Sequence, residues 1–123
     1  MTDVNEREAG PTFMPKFDDK GLLSAIVVHA ETRVVLMVGF MDAEALAATR
    51  ETGFAHFHSR SRDRLWKKGE SSGHVLAVEE ILVDCDQDAL LLVCRPEGPT
   101  CHTGAPSCFY RRLEGDALQP VKT

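Results

Sequence analysis

Apolar positions along the chain fall into short runs separated by polar turns, which is the rhythm of a sheet protein. Leu22 to His29 (LLSAIVVH) follows Gly21 and is rich in β-branched residues. After a turn at Glu31-Thr32, Val34 to Phe40 (VVLMVGF) reads as a second strand covered on both faces. Phe54 to Ser59 is extended again, with Phe54, His56 and His58 on one face. Val75 to Val83 and Ala89 to Cys94 read as two strands around a turn at Asp86-Gln87-Asp88. One stretch breaks this rhythm. Asp42 precedes Ala43-Glu44-Ala45-Leu46-Ala47-Ala48, a run of strong helix formers, and Gly53 stands where a helix must stop. The pattern predicts a helix over about 43–52, capped by the Asp42 carboxylate.

Two stretches lack such a pattern. Residues 1–15 are polar and broken by Gly10-Pro11 and Pro15, which predicts a flexible arm ahead of a single domain at 16–115, with 116–123 as a C-terminal tail. Residues 60–73 are charged and end in Ser71-Ser72-Gly73, which predicts a long basic loop of the kind that carries function. Pro96, Gly98 and Pro99 then interrupt the chain before Cys101 to Leu113. The expected fold is α+β and mainly β, with twisted β-sheets, one clear helix and that loop. Strand order is not legible.

Composition narrows the class. A chain of 123 residues with 43% apolar content has room for one core and is too apolar to be disordered. Its formal net charge of −5 disfavours a general nucleic-acid coat, which needs a basic face. The longest apolar run, Val34 to Met41, is far short of a membrane span, and the first residues lack the apolar stretch of a secretory signal. A cytoplasmic location is therefore expected. There, four cysteines serve as ligands, nucleophiles or core filler sooner than as disulfides.

Three clusters carry candidate chemistry. In Asp84-Cys85-Asp86-Gln87-Asp88, an extended chain would put the three carboxylates on one face and Cys85 on the other. Converging carboxylates repel unless a hard cation joins them, although an acidic hairpin turn is the plainer reading. Cys85, Cys94, Cys101 and Cys108 form no Cys-x-x-Cys pair. Cys94 ends an apolar run and is expected in the core. Cys101 and Cys108 lie in a loop bearing Gly and Pro where, with Cys85, they would offer a metal three ligands and leave a position for water. His102 is a fourth ligand, a general acid or base, or a loop histidine bonded to backbone. The third cluster is Ser59, Arg60, Ser61, Arg62 with Trp66, Lys67, Lys68 and then Ser71, Ser72, Gly73, which can cradle phosphate and stack a base. His29, His56, His58 and His74 are expected to be structural.

In this order and spacing the clusters resemble phosphoribosyl-AMP cyclohydrolase, a family of histidine biosynthesis. The likeness rests on VVLMVGFMDAEAL (34–46), HSRSRDRLWKKGESSGH (58–74), VDCDQDA (83–89) and GPTCHTGAPSCF (98–109), and it covers about residues 17 to 113. The sequence departs at His58, where an aromatic residue is expected, and at Leu76, where Gln is. The resemblance implies hydrolysis of the adenine ring of phosphoribosyl-AMP between ring nitrogen one and carbon six, giving the formimino carboxamide ribonucleotide. It also implies zinc on Cys85, Cys101 and Cys108, and magnesium on Asp84, Asp86 and Asp88. The proton would pass through His102, and the basic segment would hold substrate phosphate. An intertwined homodimer is implied, with Cys85 from one chain and the other thiols from its partner. No fused pyrophosphohydrolase is expected, so a separate enzyme would make the substrate. A structural-zinc module that binds a phosphorylated ligand or an RNA loop is the alternative. The deaminase signature of His-x-Glu with Pro-Cys-x-x-Cys is missing.

Overall fold

The computed structural model describes residues 3–121. Its elements in chain order are α1 (Asp3–Ala9), β1 (Leu23–His29), β2 (Val35–Met41), α2 (Ala43–Thr52), β3 (His56–Ser59), β4 (Arg64–Lys67), β5 (Leu76–Val83), β6 (Ala89–Pro96), β7 (Arg111–Glu114) and β8 (Ala117–Pro120). Strands dominate, and the class is the expected α+β, mainly β.

Four strands form the main sheet in the order β2-β1-β6-β5. The outer pairs are antiparallel, whereas β1 runs parallel to β6, with Ser24 opposite Ala89 and His29 opposite Cys94. The strand alternation sorts side chains to two faces. One face sends Ala25, Val27, Leu90 and Leu92 inward, each 1% exposed or less. Against it lie α2 and the β3–β4 hairpin, which contribute Ala45, Leu46 and Phe57 to the same core. On the opposite face Val38, Ile26, Leu91 and Leu82 stand side by side across all four strands. The outermost two, Val38 and Leu82, are exposed.

Helix α2 forms as the local signals dictate. Asp42 has an extended backbone, and its Oδ1 accepts the Ala45 N–H at 2.8 Å. Gly53 ends the helix at φ 80, a left-handed conformation in which its N–H reaches the Thr49 carbonyl. Thr49 is buried; its hydroxyl donates to Ala45 O and accepts the His56 N–H at 2.9 Å, which ties α2 to β3.

Three expectations meet a different outcome. The long basic loop contains β4, antiparallel to β3 with Phe57 opposite Trp66, because packing of these two rings rewards pairing that the surrounding charges hide. The clear helix at 43–52 has a short companion, α1, inside the segment read as an arm, and Gly10 N donates to Glu6 O at its end. The segment read as a tail supplies β8, paired to β7, and all eight residues of that hairpin are exposed. Phe54 lies outside β3 and makes an isolated bridge to Ala77.

Candidate functional site

A hollow of about 410 Å³ opens between the β4 end of the basic segment and the cysteine loop. Arg62, Trp66, Lys68, Ser71 and Ser72 line one side, and Cys101 and His102 the other. Two distant stretches of sequence thus supply cations, an aromatic face and hydroxyls on one wall, and a thiol and an imidazole on the other. Their approach is close enough to exclude any side chain at Gly98: a Cβ there would meet the His74 ring at 2.6 Å.

The cysteine loop is stapled to the edge strand of the main sheet. Ser107 Oγ donates to Val35 O at 2.6 Å and accepts the Phe109 N–H, while Cys108 N donates to Leu36 O at 2.7 Å. Within the loop, Cys101 N donates to Ala105 O and Gly104 N to Cys101 O. These bonds set Cys101 and Cys108 beside each other, near enough for their thiols to interact. The Thr103 hydroxyl, 3.1 Å from Cys101 Sγ, lowers the pKa of that thiol, helped by Cys108 and by the Lys68 ammonium. Burial and the neighbouring Cys101 push Cys108 up. Cys101 is therefore the readier thiolate of the pair.

Cys85 stands elsewhere, in the β5–β6 turn, lining a second hollow with Asp84, Gln87 and Phe13. Among the described residues, the three thiols form no ligand cluster. The same turn does bring Asp84, Asp86 and Asp88 together, with one oxygen from each within 4.8 Å of the others. They meet because the chain turns at 85–88, not because an extended strand alternates there. Asp84 Oδ1 accepts the N–H groups of Asp88 and Ala89 at 3.0 and 3.1 Å, leaving its other oxygen free of backbone bonds. Burial raises the Asp84 pKa, but the bonds from Ala89, Asp88 and Asp86 outweigh it and the net shift is down. Asp88 is raised, first by its hydrogen bonds to Asp86 and Asp84 and then by the repulsion of their charges. The donor set suits a hard cation, whose oxygen ligands stand about 2.0–2.6 Å from the metal.

Several residues singled out in the basic segment shape it without reaching the hollow. Ser59 Oγ accepts the Arg62 N–H at 3.3 Å and lies 3.5 Å from Ser61 Oγ, so both hydroxyls serve the hairpin turn. Arg60 stacks on Phe40 with its guanidinium carbon 4.0 Å from the ring centroid, and Lys67 stands over Phe54. Gly73 closes a turn, its N–H on Gly69 O at 2.8 Å. His58 Nδ1 lies 3.2 Å from Asp42 Oδ2 and Nε2 3.1 Å from Asp63 Oδ1, within ion-pair distance of the helix cap and the hairpin tip.

Other residues reach the hollow that the sequence did not assign to the site, among them His74, which was expected to be structural. Arg64 and Glu70 line it as a pair, 3.1 Å apart, and the Arg64 hydrogen bond lowers the Glu70 pKa. His74 and Thr100 line it too, and Thr100 Oγ1 is buried without a partner. The signal for His74 was its place directly after Ser71-Ser72-Gly73; the signal for Thr100 was its place beside Cys101.

Cys94 is fully buried on β6, and burial, with the Glu79 carboxylate nearby, pushes its pKa up to about 12. At pH 8 roughly one such thiol in ten thousand is ionised, and only the thiolate attacks a disulfide reagent. Treatment of the folded, metal-free protein with an aromatic disulfide is expected to leave Cys94 unmodified until the chain unfolds, as peptide mass spectrometry would show. Rapid native-state labelling at Cys94 would contradict its core position.

Residues 37–110 match the protein-family model described as Phosphoribosyl-AMP cyclohydrolase. The chain is 64% identical over 125 residues to a protein named phosphoribosyl-AMP cyclohydrolase from Erythrobacter litoralis, with all of both chains covered. It is 59% identical to one of that name from Sphingopyxis alaskensis, over 90% of this chain and 88% of the relative. A third, from Methanococcoides burtonii, is 57% identical over 84% and 85%.

Proposed function

The chain belongs to the phosphoribosyl-AMP cyclohydrolase family, and from that premise we propose that it opens the adenine ring of phosphoribosyl-AMP by hydrolysis between ring nitrogen one and carbon six. The observation that carries this reading is the shared hollow, where Cys101 and His102 face Arg62, Lys68 and Trp66. Membership of a family of enzymes also sets aside the structural-zinc module.

Cys101 and Cys108, with Cys85 of a second copy, would hold zinc, and Asp84, Asp86 and Asp88 would hold magnesium. When bound, the soft ion supplies Lewis acidity that makes water a strong nucleophile near neutral pH, and the hard ion supplies positive charge for a phosphate. The chain's own groups do the rest. Arg62 offers a planar fork to one phosphate and Lys68 a point charge beside it. Trp66, backed by Phe57 with ring centroids 5.7 Å apart, offers its edge and outer face to the purine. The Ser71 and Ser72 hydroxyls complete the cradle. His102 would accept the proton lost by the attacking water and return it to ring nitrogen one as the bond to carbon six breaks.

A homodimer fits this reading. Leu113 and Leu118 oppose each other on the β7–β8 hairpin at 70% and 49% exposure, and Phe109 beside them is 58% exposed. The apolar row Val38, Ile26, Leu91, Leu82 crosses the open face of the main sheet. A second copy would cover such surface and bring its Cys85 to the thiol pair. A cytoplasmic setting, which keeps thiols reduced, suits four free cysteines. No helix among the described residues is long and apolar enough to cross a membrane.

The test follows the loss of phosphoribosyl-AMP spectroscopically while zinc and magnesium are each removed and restored. Turnover is expected to vanish with either ion and return with it. Turnover that survives complete zinc removal would overturn the metal assignment, and none by the fully loaded protein would overturn the substrate.

A further inference from the structure

Gln87 is the one buried residue of the acidic turn, 6% exposed between two aspartates. Its backbone is left-handed at φ 61, a conformation that costs a side-chain-bearing residue energy and persists only where its surroundings enforce it. The enforcement comes from the N-terminal segment. Met14 N donates to Gln87 Oε1 at 2.6 Å, and Gln87 Nε2 donates to Arg7 O at 2.7 Å and Thr12 O at 3.2 Å. Lys16 N donates to the Gln87 carbonyl at 2.7 Å. On the other side, Gln87 N donates to Asp84 O at 3.1 Å. One amide side chain thereby satisfies three backbone groups of a segment more than seventy residues away in sequence. Its backbone N–H and carbonyl, bonded to Asp84 and to Lys16, link that segment to the first aspartate.

We infer that Gln87 is the positioning residue of the acidic turn: its bonds to the segment from Arg7 to Lys16 hold Asp84, Asp86 and Asp88 in the convergent arrangement that a divalent cation needs. This rests on the reading that these aspartates bind magnesium. Three carboxylates this close repel one another when the site is empty, so the turn spreads unless something fixes its backbone. The latch fixes it at the residue between Asp86 and Asp88. It acts on the ligands without touching the cation, as outer partners of metal ligands commonly do. Coupling of this kind is reciprocal: a cation that favours the closed turn also favours the docked segment.

The test uses the full-length, zinc-loaded protein and manganese as the probe of the acidic site, titrated by its paramagnetic resonance signal. Gln87→Ala and Gln87→Gly are each expected to weaken manganese binding by about 10- to 100-fold. The glycine variant keeps the left-handed backbone without strain and so isolates the loss of the side chain. In the wild-type protein, saturating magnesium is expected to slow hydrogen exchange at the Met14 and Lys16 amides, a response that a purely structural glutamine would not give. Variants that fold and bind manganese as tightly as wild type would overturn the inference, and so would exchange at those two amides that ignores magnesium. Failure of the underlying reading looks different: Asp86→Asn combined with Asp88→Asn would then bind manganese as well as the wild type does.

Discussion

Cys101→Ser is expected to lower turnover of phosphoribosyl-AMP by on the order of a thousandfold or more, with loss of bound zinc. Water has a pKa of about 15.7, and a zinc site brings that to about 7, so without the ion almost no hydroxide is present at neutral pH. The fold should survive the exchange. Serine keeps a group that the Thr103 hydroxyl can bond, and the loop's backbone bonds from residue 101 to Ala105 and from Gly104 to residue 101 do not involve the side chain. Cys101 is the more telling of the two loop thiols, because Thr103, Cys108 and Lys68 together favour its ionised form, whereas Cys108 is pushed the other way. The measurement pairs zinc content by elemental mass spectrometry with the spectroscopic assay. Retention of both zinc and rate would remove this thiol from the site.

The second large effect concerns stability. Phe57→Ala should cost about 3–5 kcal/mol, the usual penalty for deleting a fully buried ring. Phe57 is 1% exposed and packs against β2 at Gly39, where a Cβ would come within 2.6 Å of the ring. A loss of that size takes a large share of the 5–15 kcal/mol typical of a domain, and urea unfolding at fixed protein concentration would read it directly. The same ring backs Trp66, so a folded remnant of the variant should also bind substrate more weakly, with KM rising. A midpoint shifted by less than a third of this expectation would mean the core closes over the gap.

These two residues mark how far the sequence carries. Helix α2 was legible at both ends because its signals are local: the Asp42 carboxylate reaches only Ala45, and Gly53 acts on its own φ. The four strands of the main sheet were legible as long apolar runs and β3 by its alternation, although β2, read as covered on both faces, is an edge strand with Val35 and Val38 exposed. Strand β4 was not, since Arg64 and Lys67 flank its apolar pair and only Phe57, in another strand, gives Trp66 a reason to be extended. Hairpin β7–β8 was hidden for the opposite reason: with every residue exposed, no alternation of burial is written into it. Helix α1 had a signal, the Gly10-Pro11 pair that ends it, which also reads as the break of a loose arm. In the candidate site the clusters were visible, but their geometry came from elsewhere. The aspartates meet through a turn, and two of the three thiols meet through bonds to β2 that no motif spells out.

The parallel pairing of β1 with β6 has a consequence for how the chain reaches this state. At a synthesis rate of roughly 5–20 residues per second, Leu23–His29 waits several seconds for Ala89–Pro96 to emerge. Until then β2 is its one strand neighbour, and an isolated two-stranded ribbon is barely stable in water. The nascent chain therefore carries Val27 and Val28 uncovered through most of translation. Ordering of the centre has to await closure of that long loop, and non-local parallel pairing of this kind forms slowly.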